Sequence, residues 1–136
     1  ILSQMVGQRS HHPVHKVGCV IVSDDNTQVL SIGYNGNYKG GTNEADSDIP
    51  GESGLIHAEV NALLKMDYNN RKPKVMYITL SPCLMCAKAI INAGVSRVYY
   101  LDEYRDKSGV ELLRKAGVEA FSFESEFVDA RARNLY

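Results

Sequence analysis

The chain has 136 residues, a length that suits one domain with its own hydrophobic core, which we place at residues 1–136. Hydrophobic residues make up 44% and charged residues 23%, and no apolar run approaches the roughly 20 residues of a membrane helix. The formal net charge of −1, without a dense Lys/Arg run, argues against a polymeric nucleic acid as partner.

Three cysteines, an odd number, disfavour the disulfide framework of a small secreted protein. Thiols that stay free to bind a metal fit a reducing compartment better, and no signal peptide is visible. We therefore expect a cytoplasmic protein without a membrane partner.

Hydrophobic periodicity and turn residues predict a helix, a β-hairpin and then three helix–strand units. In chain order the predicted elements are a helix ending within 1–10, strands at 17–22 and 28–36, a helix at 55–66, a strand at 74–80, a helix at 86–94, a strand at 97–101, a helix at 109–117 and a strand at 118–123. We also expect a last helix after Ser125. This alternation predicts an α/β fold whose later strands run parallel.

Two details of this pattern bear on the site. The helix at 55–66 carries Val60, Leu63 and Leu64, which we expect to form its buried stripe. The segment 36–54 is rich in Gly, Asn, Ser and Asp, and a loop of that length in a small domain is more often functional than idle.

The stretch "LSPCLMCAK" places Cys83 and Cys86 three residues apart, just after Pro82. Proline is tolerated in the first turn of a helix, so we expect the helix to begin at Pro82 with both thiols on one face of that turn. The helix dipole favours thiolate there. Such a pair can supply half of a tetrahedral zinc site.

A second polar group, His57 and Glu59, also stands at a predicted helix start. Residues two apart diverge by about 200° inside a helix, but at a helix terminus both can reach the open end. One His and two Cys supply three zinc ligands and leave a fourth position for water, which is the pattern of a catalytic zinc. Glu59 would then exchange protons with that water.

Two alternatives compete with this interpretation. A redox dithiol would need no His-x-Glu motif upstream. A closed structural zinc site would need a fourth ligand, and the candidates for it are His11, His12, His15 and Cys19. Cys19 lies in an apolar strand and suits a buried core position, while the three histidines precede that strand. We favour the catalytic zinc.

The pattern H-x-E…P-C-x-x-C is the signature of zinc-dependent nucleobase deaminases. Beyond it, the chain resembles the deoxycytidylate (dCMP) deaminases of the cytidine-deaminase-like superfamily, including their allosteric phage and cellular members. The segments that carry the resemblance are "QRS" (8–10), "VGCVIV" (17–22), "GYNG" (33–36), "HAEVNAL" (57–63), "MYITLSPCLMCAKAIINAG" (76–94), "YRD" (104–106) and "AGV" (116–118). A similar "PCxMC" segment occurs in tRNA adenosine deaminases, whereas "GYNG" and "YR" favour the nucleotide enzyme.

This resemblance implies a three-layer α/β/α fold with a five-stranded mixed sheet. It implies hydrolysis of dCMP to dUMP and ammonia, which would supply dUMP for thymidylate synthesis. One zinc ion per chain would be held by His57, Cys83 and Cys86, with Glu59 as the proton shuttle. No second zinc is expected, because Cys19 is the only spare cysteine.

The resemblance also implies the substrate contacts. Asn35 would hydrogen-bond the deoxyribose, and the 5′-phosphate would meet Arg9, Tyr104 and Arg105. Further contacts are implied for Ala58 and Ser81. Without the resemblance, both arginines would be taken as solvated surface charges, and Asn35 as a turn residue.

Similar enzymes are often homohexamers that dCTP activates and dTTP inhibits, and the resemblance implies the same here. The implied effector site is the glycine-rich loop at a subunit contact, formed by Gly36, Asn37, Tyr38, Lys39 and Gly40, with Mg²⁺ accompanying the triphosphate. A flexible loop without a ligand is the competing interpretation. The competing functions are a tRNA-editing enzyme and a non-catalytic zinc-binding module. If the protein is viral, we expect it to act in the cytoplasm of the host cell.

Overall fold

The computed structural model describes residues 1–10, 16–41, 55–104 and 106–122. The helices and strands within these ranges are α1 (Leu2–Gly7), β1 (Gly18–Ser23), β2 (Val29–Tyr34), α2 (Ala58–Lys65), β3 (Lys74–Leu80), α3 (Leu84–Asn92), β4 (Val95–Asp102), α4 (Ser108–Lys115) and β5 (Glu119–Ser122). The predicted order of helix, hairpin and three helix–strand units is confirmed. The predicted helix after Ser125 lies outside the described residues.

The five strands form one mixed sheet in the order β2-β1-β3-β4-β5. Strand β1 runs antiparallel to both of its neighbours, β2 and β3. Strands β3, β4 and β5 run parallel to one another, as helical crossovers between successive strands require. The predicted five-stranded mixed sheet and its parallel later strands are therefore confirmed.

Helices cover both faces of the sheet and give three layers. The core on one face joins α2, α3 and α4 to the sheet, through residues such as Ala62, Ile90 and Leu113. On the other face, Val6 of α1 packs against a smaller cluster of valines, with Tyr77 and Tyr99 at its border. No helix in the described part of the chain is long and apolar enough to cross a membrane.

Small residues set the distance between α2 and the sheet. Ala58 and Ala62 of α2 are fully buried, and a Cβ added to Gly33 of β2 would lie 2.5 Å from the Ala58 carbonyl oxygen and from the Ala62 nitrogen. Because these small residues face the sheet, the predicted stripe is wrong for Leu64, whereas Leu63 packs against the edge of the core. Leu64 is 73% exposed, and the other two members, Val60 and Leu63, are only half-buried.

The parallel strands β3 and β4 end at the same edge of the sheet. The Ser81 N–H, just after β3, donates a hydrogen bond to the carbonyl oxygen of Asp102 at the end of β4 (2.9 Å). Ligand sites of α/β sheets form at the carboxyl ends of parallel strands. Here β3 ends at that edge, and the chain continues directly into the segment that carries Cys83.

Candidate functional site

The three predicted zinc ligands come together in space. The ligand atoms of His57, Cys83 and Cys86 all lie within 4.8 Å of one another. His57 Nδ1 lies 3.1 Å from Cys86 Sγ and 3.6 Å from Cys83 Sγ. Residues 26 and 29 positions apart therefore share one small volume.

Two helix starts build this cluster. His57 is the N-cap of α2 and Cys83 is the N-cap of α3, and both have extended backbone angles. We expected the helix after β3 to begin at Pro82, and this is wrong by two residues. Helix α3 begins at Leu84, after the extended N-cap residue Cys83. Cys86 nevertheless lies in the first turn, and an N-cap side chain points towards that turn. The two thiols therefore face each other.

The cluster fits a zinc ion. A His nitrogen and two Cys sulfurs are the donor types that Zn²⁺ prefers, and the donors of a tetrahedral zinc site stand roughly 3.5 Å apart. The separations between His57 and the two sulfurs, 3.1 and 3.6 Å, are close to that spacing. Cys86 is buried, Cys83 is half-buried and His57 is exposed, so the three ligands extend from the interior to the surface of the protein.

The thiols are not electrostatically equivalent. Hydrogen bonds from Cys86 and His57 lower the pKa of Cys83 to about 4, so this thiol is ionised at neutral pH. The hydrogen bond to Cys83, together with burial, raises the pKa of Cys86 far above its ordinary value. The hydrogen bond with Cys83 raises the pKa of His57. A metal that binds all three side chains would therefore have to displace the proton of Cys86.

Glu59 lies behind the cluster, in the first turn of α2, and is 4% exposed. Burial raises the pKa of its carboxyl group to about 7, against the opposing influence of the charge on His57. A carboxyl group with a pKa near neutrality can both accept and release a proton under physiological conditions. A carboxylate that is buried beside a metal-ligand cluster is suited to proton transfer.

Cys19, the remaining cysteine, is fully buried in β1 and belongs to the hydrophobic core, as predicted. Burial raises the pKa of its thiol, which keeps it neutral. The other suggested fourth ligands of a closed site, His11, His12 and His15, lie outside the described residues.

Asn35 is buried at the end of β2 and is held on several sides. Its Oδ1 accepts a hydrogen bond from the Val17 N–H (2.9 Å), and its carbonyl oxygen accepts one from Ser10 Oγ (2.8 Å). Gly36 forms a β-bridge with Ile56, the residue before His57. This bridge brings Asn35 near the zinc ligands. The hydrogen bond from Ser10 brings its chain neighbour Arg9, which is exposed, near Asn35 as well.

Ser81 and Tyr104 meet at the carboxyl edge of the sheet. The Tyr104 N–H donates a hydrogen bond to Ser81 Oγ (2.6 Å), which joins the segment after β4 to the segment that carries Cys83. Arg105, the third predicted phosphate contact, lies outside the described residues. Ala58, fully buried beside His57, opens α2.

The predicted effector loop, residues 36–41, contains a turn at 38–41 in which Tyr38, Lys39 and Gly40 are exposed. The Gly41 N–H donates to the carbonyl oxygen of Tyr38 (2.9 Å), and Gly40 adopts a φ of +84°, which favours glycine. Lys39 stands at the tip of this turn and is exposed. The described residues of this loop therefore present a cation and glycine backbone to solvent.

Sequence reasoning missed two residues that hold the site together. Ser10 fixes the backbone of Asn35, and Asn61 on α2 donates from Nδ2 to the carbonyl oxygen of Tyr34 (2.8 Å). Both residues stand in segments that carry the family resemblance, "QRS" and "HAEVNAL", but neither segment indicates a hydrogen-bond partner. The partner of Ser10 is 25 residues away along the chain.

Comparison with known proteins agrees with this geometry. Residues 2–102 match the family described as the cytidine and deoxycytidylate deaminase zinc-binding region. The human deoxycytidylate deaminase is 36% identical over 73% of this chain and 60% of its own length. That of Enterobacteria phage T4 is 30% identical over 89% of this chain and 86% of its own.

A solved structure shares the fold. The dCMP deaminase of cyanophage S-TIM5, crystallised with dCMP and dUMP, gives a TM-score of 0.77 at 33% identity and covers 88% of this chain and 89% of its own. The chain spans only 44% to 66% of the lengths of the Drosophila melanogaster, Caenorhabditis elegans, Saccharomyces cerevisiae and human relatives. The match over residues 2–102, which contain the whole His-Cys-Cys cluster, shows that the chain belongs to the cytidine and deoxycytidylate deaminase family.

Proposed function

We propose that residues 1–136 form one catalytic domain, which hydrolyses dCMP to dUMP and ammonia. The observation that carries this proposal is the position of a buried carboxyl group, Glu59, beside a His-Cys-Cys cluster whose ligand atoms lie within 4.8 Å of one another. Nucleobase deaminases require this combination of a zinc site and a separate proton shuttle.

His57, Cys83 and Cys86 would hold one zinc ion per chain. When bound, zinc lowers the pKa of a coordinated water and so supplies hydroxide near neutral pH. The ionised Cys83 thiol, with a pKa of about 4, contributes negative charge to the ligand set without any further proton loss. The N-cap positions of His57 and Cys83 orient both ligands before the metal arrives.

Glu59 would move the protons. Its carboxylate accepts a proton from the attacking water and delivers it to the ring nitrogen beside the amino-bearing carbon of cytosine. A second transfer through the same carboxyl group protonates the departing amine, which leaves as ammonia. Burial, which raises the pKa of this carboxyl group to about 7, favours its holding a proton between the two transfers.

The remaining predicted residues would bind the nucleotide. Asn35 is assigned to the deoxyribose, and Arg9, Tyr104 and Arg105 to the 5′-phosphate. Ala58 and Ser81, which neighbour the zinc ligands in the chain, are assigned to the substrate site without a named partner. Two links support this arrangement. The Tyr104–Ser81 hydrogen bond connects Tyr104 to the segment that carries Cys83, and the β-bridge from Gly36 to Ile56 connects the Asn35 segment to the one that carries His57.

One assay tests the assignment. Purified protein is offered dCMP, deoxycytidine, dCTP and tRNA in parallel, and ammonia release is measured. Release from dCMP is the expected result. Release from tRNA but not from dCMP would replace the proposal with an RNA-editing activity, and no release from any substrate would favour a zinc-binding module.

We further propose that dCTP activates and dTTP inhibits a homohexamer, with Mg²⁺ neutralising part of the triphosphate charge. The exposed turn of residues 38–41, with Lys39 at its tip, supports an effector site at a subunit contact. The turn is covalently continuous with Asn35, so a shift of the turn can reach the sugar site.

The setting of the reaction is also part of the proposal. The three cysteines of the chain, all within the described residues, are free thiols, which supports a cytoplasmic enzyme. The dUMP that it forms would feed thymidylate synthesis.

A further inference from the structure

The end of β3 and the segment after β4 are joined by two hydrogen bonds, both at Ser81. The Ser81 N–H donates to the carbonyl oxygen of Asp102 (2.9 Å), and the Ser81 hydroxyl accepts from the Tyr104 N–H (2.6 Å). Ser81 is only 4% exposed, so water does not readily replace either bond. Ser81 lies two residues before Cys83 in the chain. Its hydroxyl therefore fixes the backbone of Tyr104 next to the segment that carries Cys83.

A close backbone contact holds the far end of the same segment. A Cβ added to Gly109, in the first turn of α4, would lie 2.1 Å from the Pro82 carbonyl oxygen and 2.8 Å from the Cys83 carbonyl carbon. The start of α4 thus packs directly on the peptide that precedes the Cys83 side chain. The segment from Asp102 to Gly109 is tied to the metal-ligand loop at both ends.

We propose that Ser81 is a positioning residue for substrate affinity, whose hydroxyl sets the place of Tyr104 relative to Cys83. The inference rests on the proposed function, in which Tyr104 meets the 5′-phosphate of the substrate. A nucleotide that is held at its phosphate and at its base spans both segments at once. If their spacing is fixed beforehand, binding does not have to order the Tyr104 segment.

The consequence falls on the Michaelis constant rather than on turnover. Removal of the hydroxyl leaves the metal ligands and Glu59 unchanged, since none of them contacts Ser81 Oγ through a described hydrogen bond. We therefore expect Ser81→Ala to raise KM for dCMP about tenfold, with kcat within about twofold of wild type and zinc content unchanged. Ser81→Thr keeps a hydroxyl and is expected to restore a near-wild-type KM.

Ser96→Ala is the matched control. Ser96 Oγ donates to the carbonyl oxygen of Lys74 (2.9 Å), so this variant also loses one serine hydrogen bond between β3 and β4, but at the opposite end of the strands from the site. Its KM for dCMP should equal that of wild type. An equal rise of KM in Ser96→Ala, or a fall of kcat without a rise of KM in Ser81→Ala, would overturn the proposal.

A readout without catalysis separates this inference from the proposed function. Hydrogen exchange of the Tyr104 amide should accelerate in Ser81→Ala, and remain at the wild-type rate in Ser81→Thr and Ser96→Ala. Unchanged exchange in Ser81→Ala would refute the positioning role even if dCMP is deaminated. A wild-type protein that fails to deaminate dCMP would refute the proposed function, while the Tyr104 exchange rates still decide whether Ser81 fixes this segment.

Discussion

His57 and Cys83 occupy the same position in two different helices: each is the N-cap, and His57 Nδ1 lies 3.6 Å from Cys83 Sγ. The starts of α2 and α3 therefore converge on one point. An N-cap residue lies outside the helical backbone while its side chain turns towards the first turn. This geometry allows Cys86, in the first turn of α3, to complete the set of three donors.

We expect one zinc ion per chain in the purified protein. Elemental analysis should give a ratio near one for wild type and for Cys19→Ala, because Cys19 is a buried core residue. Cys86→Ala, which removes one of three donors, should lose most of the metal. Two zinc ions per chain, or a Cys19→Ala variant as depleted as Cys86→Ala, would contradict the assigned ligand set.

Glu59→Gln should fold and retain zinc but lose nearly all turnover. The substitution preserves the shape of a side chain that is 4% exposed and removes its ability to exchange protons. We expect kcat for dCMP to fall by about a thousandfold. Zinc content and thermal unfolding, measured on the same preparation, are the controls; a variant that keeps a tenth of the wild-type kcat would show that Glu59 does not have the proposed role.

Gly33→Ala should destabilise the protein and disturb the metal site together. The added Cβ would lie 2.5 Å from the backbone of α2, so the helix that carries His57 must move away from the sheet. Overpacking of this kind costs roughly 1–3 kcal/mol in the free energy of unfolding. Urea denaturation can measure this cost. In the matched variant Gly36→Ala the nearest atom would be 3.7 Å away, and stability should barely change.

The parts of this molecule that depend on local sequence could be predicted from it. The strand Lys74–Leu80 matches its predicted bounds, and the spacing of Cys83 and Cys86 indicated a shared site. Leu64 shows where the reasoning fails. The buried face of a helix is inferred from its large apolar side chains. Here Gly33 has no side chain, so α2 packs so close to β2 that alanines, not leucines, fill the contact.

Long-range hydrogen bonds could not be predicted in the same way. Ser10 and Asn35 are 25 residues apart, and Ser81 and Tyr104 are 23 residues apart. Which residues pair in this way depends on which strand ends are neighbours in the sheet. The hydrophobic periodicity of a single segment carries no information about those neighbours. These contacts nevertheless place the segments to which we assign substrate binding.

The buried Lys74 gives a prediction about pH. Lys74 is 2% exposed and donates from Nζ to the carbonyl oxygens of Asn70 and Lys72. Burial lowers the pKa of its ammonium group below 10.5 in the folded protein. The unfolded chain then binds this proton more tightly, so stability rises with pH between the folded pKa and about 10.5.

Comparison with Lys74→Met isolates this contribution from other groups that titrate at alkaline pH. Urea denaturation at about pH 8 and about pH 10 should show wild type gaining free energy of unfolding relative to the variant. A wild-type protein that loses stability relative to Lys74→Met over this range would show that the lysine pKa is raised instead.

Lys39→Ala should weaken the response to dCTP. Lys39 is exposed at the tip of the turn after Gly36, where a single ion pair with a phosphate contributes at most about a fivefold change in affinity. The dCTP concentration for half-maximal activation of dCMP deamination should rise by about that factor. Lys115→Ala, at an exposed position at the end of α4, should leave it unchanged. Sigmoidal dCMP kinetics that neither dCTP nor dTTP alters would remove the proposed regulation.

The close backbone approaches at Gly33 and Gly109 limit how this protein can be redesigned. In a library randomised around the site, any member with a side chain at either glycine must first displace a segment that carries a zinc ligand. Met85, between the two cysteine ligands, is 76% exposed, so a substitution there displaces no packed neighbour. New substrate contacts are therefore best introduced on the outward side of α3, where variation leaves the zinc ligands in place.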